Sequence, residues 1–294
     1  MYHIPVLLQQ SVDGLNIKPE GTYVDATFGG GGHSRAILKL LENGRLYGFD
    51  QDKDALQNSI EDPRFTFIGQ NFRYLKNFLK LEQVMAVDGI LADLGVSSHQ
   101  IDDGERGFST RLTGPLDMRM NANQPLSARE VVNNYDEEDL LRIFRDYGEI
   151  RNASCVVRAI LQHRPIETTE QLTEAVIRCA APNKQHKFLA MVFQAIRIEV
   201  NEELNALREF LEQSRDLLKP GGRLAIISYH SLEDRLVKYF IRTGNFEGKT
   251  VKDFYGRPIV TFRPITKRPI VPGEDEISSN SRARSAKLRI AEKL

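Results

Sequence analysis

Short apolar or β-branched runs alternate with helix-length amphipathic stretches between Thr22 and Asp93, which confines the chain to an α/β fold with a parallel sheet wrapped by helices. Four strands are legible. Thr22-Tyr23-Val24-Asp25 is the first, ended by Gly29-Gly30-Gly31-Gly32, after which helical periodicity runs from Ser34 to Leu41 and stops at Asn43-Gly44. Arg45 to Asp50 is the second strand, Asp54 to Ile60 a helix ended by Asp62-Pro63, Phe65 to Ile68 the third strand and Phe72 to Leu81 a helix. Val87 to Asp93, the fourth strand, is apolar enough to be buried on both faces.

The fifth strand, Arg223 to Ser228, follows a helix from about Glu202 to Leu218 and the breaker Lys219-Pro220-Gly221-Gly222. It starts about 130 residues beyond Asp93, whereas a whole β-α-β unit takes roughly 30. Something is inserted, and its signals are helical. Ser127 with Glu130 has capping-box spacing, Glu137 to Tyr147 ends at Gly148, Ala153 to Leu161 ends before Arg164-Pro165, and Glu170 to Ala180 ends at Pro182. Gly104 to Pro125, rich in Gly, Arg and Asp, is the loop leading in. The predicted division is a discontinuous domain, 1–103 and 197–294, around an all-helical insert, 104–196, suited to substrate recognition. After Ser228 come a helix from Leu232 to Ile241, with Ser231 and Asp234 as its N-terminal cap pair, and two last strands, Ile259 to Arg263 and Ala286 to Ala291.

Forty Lys and Arg balance forty Asp and Glu, so bulk charge does not drive this chain onto nucleic acid or membranes. Contact with a polyanion has to be local, and Lys252 to Leu294 holds ten basic residues against five acidic ones. No apolar stretch approaches the roughly 20 residues of a membrane span, and the start lacks a signal-peptide pattern, so a cytoplasmic location is expected. Cys155 and Cys179 lack Cys-x-x-Cys spacing and read as reduced core residues, and the six histidines show no metal-site pairing. No metal is expected, and a zinc-dependent base deaminase is excluded by the missing His-x-Glu and Cys-x-x-Cys pattern.

Chemistry is expected at the carboxyl ends of the strands, where open α/β sheets bind ligands. Asp25, Asp50 and Asp93 all end strands there. The glycines after Asp25 let a ligand approach bare backbone, and an acid about 20 residues further on, Asp50, is placed for the hydroxyls of a ribose. Both NAD and S-adenosylmethionine fit that pairing. Gly29 and Gly31 match the first two glycines of the dinucleotide fingerprint, but Ser34 stands at the third, which leans toward the sulfonium cofactor.

Longer motifs carry a resemblance that runs nearly end to end. They are His3-Ile4-Pro5-Val6-Leu7, Thr27-Phe28-Gly29-Gly30-Gly31-Gly32-His33-Ser34, Asp93-Leu94-Gly95-Val96-Ser97-Ser98 with Gln100 and Asp102, and Arg106-Gly107-Phe108-Ser109. Gly114-Pro115-Leu116-Asp117-Met118-Arg119-Met120, Phe193-Gln194-Ala195-Ile196-Arg197-Ile198, His230-Ser231-Leu232-Glu233-Asp234-Arg235 and Arg282-Ala283-Arg284-Ser285 follow in order. The chain thereby resembles the ribosomal RNA small subunit methyltransferase H, or MraW, family.

The resemblance implies a class I S-adenosylmethionine-dependent methyltransferase, Rossmann-like, with a helical insert. It implies N4-methylation of a cytidine in 16S ribosomal RNA, in the decoding region of the small ribosomal subunit, tuning translation initiation and decoding fidelity. It places the cofactor on Gly31, Gly32, His33, Asp50, Phe72, Asp93 and Gln100. Asp93 is the catalytic candidate, as acceptor of a hydrogen bond from the N4 amine, and His230, Ser231 and Arg197 are candidates for the substrate. Gln194 and Arg197, one helical turn apart, serve either to join insert to catalytic domain or to touch RNA. Oligomeric state stays open, a homodimer included.

Overall fold

The computed structural model describes residues 5–294; His3 and Ile4 of the first motif lie outside them. The described residues form two compact units, 5–95 with Leu204–Leu294, and Val96–Glu203. The predicted insert, 104–196, lies inside the second unit, which extends further at both ends. Asn201 explains the carboxyl side: its side chain accepts from Met120 N–H at 2.7 Å and donates to Met118 O at 2.8 Å, holding the helix end to the insert's own loop.

The first unit is built on a seven-stranded sheet of β1 (Thr22–Asp25), β2 (Arg45–Phe49), β3 (Phe65–Ile68), β4 (Val87–Asp93), β5 (Leu218–Ser228), β6 (Phe262–Pro264) and β7 (Lys287–Lys293). Its order is β3-β2-β1-β4-β5-β7-β6. The first five strands run parallel and β7 is antiparallel to both neighbours. Because β1 and β4 are adjacent while their crossovers run to opposite sides of the order, a crevice opens at the carboxyl ends of these central strands. Helices α1 (Leu8–Leu15), α2 (Gly32–Leu38) and α3 (Leu75–Leu81) belong to this unit. The core under the sheet gathers Leu7, Leu15, Tyr23, Ile37, Leu46, Leu91, Ile227 and Leu288, all essentially inaccessible or nearly so.

The second unit holds α4 (Ser98–Asp102), α5 (Ala128–Asn134), α6 (Glu137–Asp146), α7 (Ala153–His163), α8 (Thr169–Val176) and α9 (Gln185–Asn201). Its own core includes Val131, Leu140, Phe144, Val156, Ile160, Leu172, Val192 and Ile196. The Ser127–Glu130 capping box forms as the spacing predicts, and Thr168 with Gln171 makes a second. Back in the first unit, α10 (Glu203–Leu217, its first residue still in the second unit) leads into β5, and α11 (Ser231–Thr243) and α12 (Glu274–Ser279) complete the chain.

Several local expectations need correction. Asp54 to Ile60 is a 3-10 helix over Lys53–Asn58, started by Asp52, whose carboxylate accepts from Asp54 N–H at 3.1 Å; a segment this short gains little from α-helical propagation. Phe72–Tyr74 is a 3-10 turn before α3. The cap of α11 is His230 rather than Ser231: its ring accepts from Glu233 N–H at 3.4 Å while the Glu233 carboxylate accepts from His230 N–H at 3.3 Å. Glu233, three residues on, closes the reciprocal box that Asp234 does not. The two cysteines are not reduced core residues: Cys155 of α7 and Cys179 after α8 are joined by a disulfide, their Cα atoms 5.9 Å apart. Neither is fully buried. Packing of α7 on α8 brings the pair together, a proximity that 24 residues of sequence separation conceal.

Candidate functional site

The loop after β1 turns sharply because Gly29 and Gly31 adopt φ of +50° and +72°, the left-handed region that side chains disfavour. Gly31 caps α2, and a Cβ on it would press within 2.8 Å of the Phe28 ring. At Gly32 a Cβ would lie 2.1 Å from Pro5 Cγ, so the Pro5-Val6 segment can seat against the helix start. Around Gly29 the nearest atom such a Cβ would meet is Thr27 O, at 4.0 Å. At Gly29 the loop therefore offers bare backbone with open space beside it.

Three carboxylates line up with this loop. Asp25 is fully buried and accepts from Ser34 Oγ at 2.7 Å and Thr27 N–H at 3.2 Å. The serine that broke the dinucleotide fingerprint thus fastens α2 to the end of β1. Asp50, half-buried, accepts from Gly29 N–H at 2.8 Å through Oδ2 and from Asp52 N–H at 2.8 Å through Oδ1, leaving lone pairs on both oxygens. Asp93 sits at the end of β4, its own N–H donating to Thr27 Oγ1 at 2.6 Å and its Oδ1 accepting from the Tyr229 hydroxyl at 2.8 Å. Its Oδ2 faces His33 Nδ1 at 4.0 Å.

Burial pushes each of these three carboxyls up to about 6, and their mutual repulsion adds to it for Asp50 and Asp93. No Lys or Arg pairs with any of them among the described residues. A cluster of this kind suits a cationic ligand.

His33 is buried, and desolvation lowers its affinity for a proton despite Asp93. Its Nε2 lies 3.2 Å from Val6 O, a carbonyl that can only accept, so Nε2 carries the hydrogen and Nδ1 turns its lone pair toward Asp93. Tyr229 is pushed far up by desolvation and by the Asp93 charge, and it stays a donor. Gly95, at φ +101°, leaves its Cβ position 3.4 Å from the Tyr229 ring.

The remaining candidates are placed as follows. Phe72 is half-buried, edge-on to Phe210 at 5.1 Å, and its loop is tied to the Asp50 loop by Asn71 Nδ2 donating to Gln51 Oε1 at 2.8 Å. Gln100 lies in the second unit, buried, where its side chain accepts from Ser97 N–H at 3.0 Å in the cap of α4. Arg197 is held by Glu203 through two hydrogen bonds of 2.8 and 2.9 Å, and Gln194 donates to Tyr147 O at 2.9 Å within the insert. Both pairings lie within the second unit. His230 and Ser231 begin α11 directly after β5 and Tyr229. Tyr229 and Thr27, both in contact with Asp93, were not anticipated. The rule that singled out Asp93, position at the carboxyl end of a strand, applies equally to Tyr229, but a tyrosine after an apolar strand looks like core.

A family model described as the MraW methylase family matches residues 1–294. The chain belongs to that family. Like other members of the MraW family it is a methyltransferase, with the class I Rossmann-like fold and S-adenosylmethionine as methyl donor. It is 58% identical over 297 aligned positions to the ribosomal RNA small subunit methyltransferase H of Flavobacterium johnsoniae, covering 100% of this chain and 98% of that one. The proteins of the same name from Christiangramia forsetii and Bacteroides fragilis are 57% and 55% identical, over 100% and 99% of this chain and 98% and 97% of theirs. A crystallised rRNA methylase from Streptococcus thermophilus is similar at a TM-score of 0.44 and 15% identity, covering 100% of this chain and 99% of that one, too loose a likeness to bear on function. Among the described residues no helix is long and apolar enough to cross a membrane.

Proposed function

We propose that this methyltransferase modifies the exocyclic N4 of one cytidine in 16S ribosomal RNA, in the decoding region of the small subunit, and thereby tunes initiation and decoding fidelity. The observation that carries the substrate is the end-to-end identity with proteins named for that RNA. What carries the site is the set of three cation-free carboxyls around an open glycine loop.

The residues present fit the donor. Asp50 would accept from the ribose hydroxyls, Gly31, Gly32 and His33 would form the loop beside the donor, and Phe72 would lie near the adenine. S-adenosylmethionine supplies, when bound, an electrophilic methyl group on a positively charged sulfur.

The N4 lone pair of cytosine is delocalised into the ring, so the amine attacks poorly until it is desolvated and aligned. The target base has to leave its stack to reach a strand end. Asp93 is proposed to accept a hydrogen bond from the N4 amine and to take its proton as the new bond forms. Tyr229 holds Oδ1, which leaves Oδ2 for that task, and the Nδ1 lone pair of His33 faces the same oxygen. His230 and Ser231 line the base pocket at the start of α11.

The direct test is Asp93→Asn on small subunits lacking the modification, with donor affinity measured alongside. Full turnover in the variant would remove the carboxylate from the mechanism.

A further inference from the structure

Away from the strand ends, α11 and the outer strands enclose a cleft of about 290 Å³, near the lower end of the ~300 Å³ usual for ligand pockets. Lys238 and Arg242 from α11 and Lys267 from beyond β6 line it. None of the three has an acidic partner among the described residues. Arg289, also in the lining, is neutralised by Asp234 at 2.7 Å. Thr266 contributes a hydroxyl whose oxygen is shielded from solvent and makes no hydrogen bond, and Ile290 gives the floor an apolar patch.

Three cations without acidic partners border one concavity, and an unmade hydrogen bond at a shielded hydroxyl costs free energy. An anion with acceptor oxygens answers both. A backbone phosphodiester presents two anionic oxygens diverging from a tetrahedral phosphorus with two weaker ester acceptors beside them, matching donors that arrive from a helix and from an extended segment. Two of the basic residues in the lining, Lys267 and Arg289, belong to the basic carboxyl-terminal stretch.

We propose that this cleft seats a backbone phosphate of the RNA, at a distance along the strand from the methylated base. The inference rests on the RNA reading given under the proposed function.

The test compares the unaltered chain with Lys238→Gln/Arg242→Gln/Lys267→Gln, and with each single change, on small ribosomal subunits lacking the modification. Expected for the triple variant is a KM for subunits raised about tenfold and a salt dependence of KM flattened by about one phosphate contact. Its kcat and its calorimetric donor affinity stay within about twofold, and each single variant shows about a threefold rise in KM. A triple variant, or three folded single variants, with KM and salt dependence unchanged overturns the proposal and leaves the methyl-transfer reading standing. Should inorganic phosphate compete against the unaltered chain while KM for subunits is the same in all variants, the cleft binds small anions and the RNA assignment is overturned. Failure of the unaltered chain to methylate the subunits at all overturns both readings.

Discussion

The Tyr229 hydroxyl donates to Oδ1 of Asp93 at 2.8 Å, joining the residue after β5 to the last residue of β4. The bond favours the ionised carboxyl, offsetting part of the desolvation that pushes Asp93 up to about 6. Tyr229→Phe is therefore expected to move the acid limb of the kcat profile to higher pH. At pH 6.5 kcat should fall about tenfold, the size of one charge-assisted hydrogen bond, and should recover by about pH 8.5. A structural role alone would lower kcat equally at both pH values.

Asp93→Asn keeps the shape and removes the proton acceptor. Turnover on small subunits is expected to fall by about a hundredfold or more, while donor affinity, shared with Asp50 and the glycine loop, changes less. Single-turnover methylation and calorimetry on the same preparation separate the two effects.

Donor binding should be linked to protons. Asp25, Asp50 and Asp93 each sit at about 6 in the folded chain, above the ordinary carboxyl value. A raised value means the folded state holds these protons more tightly, so the ligand-free chain loses stability as pH climbs from about 4 to about 6. A cation pulls the values back down. Calorimetry at pH 6 in buffers of different ionisation enthalpy should show protons released on binding, with affinity increasing between about pH 5 and pH 7.

Asp50→Ala leaves Gly29 N–H without its acceptor and removes the oxygens offered to the ribose. A loss of about 1.5–3 kcal/mol in donor binding is expected, roughly ten- to a hundredfold in Kd. The KM for small subunits at saturating donor should not move.

Arg197→Ala tests how firmly the end of α9 is held to Glu203. The ion pair with Glu203 is largely buried, 17% and 10% exposed on the two side chains, so truncation strands a carboxylate at a cost of about 3 kcal/mol. Thermal unfolding should show that loss, and Arg197→Lys, which cannot reproduce two parallel bonds, should recover little of it.

The parallel strands were legible because β1 to β4 are short apolar runs with glycine or proline at their ends, signals that act within a few residues. Asp50 and Asp93 were legible because strand ends are where such sheets bind ligands. The Tyr229–Asp93 bond was not, since it spans 136 residues and arises only once β5 pairs with β4. His230 misled for a related reason: serine is the commoner cap, yet the carboxylate three residues further on decides which residue takes that place. Cys155 and Cys179 meet through the packing of α7 on α8, and Arg197 meets Glu203 across the end of α9. Side-chain pairing of this kind has no local sequence pattern.

The central claim is methylation of N4 on a cytidine of small-subunit RNA. Mass spectrometry of that RNA from a strain deleted for this chain tests it most directly. N4-methylcytidine is expected to disappear at one site and to return when the chain, but not its Asp93→Asn variant, is supplied. An unchanged modification profile in the deletion strain would contradict it.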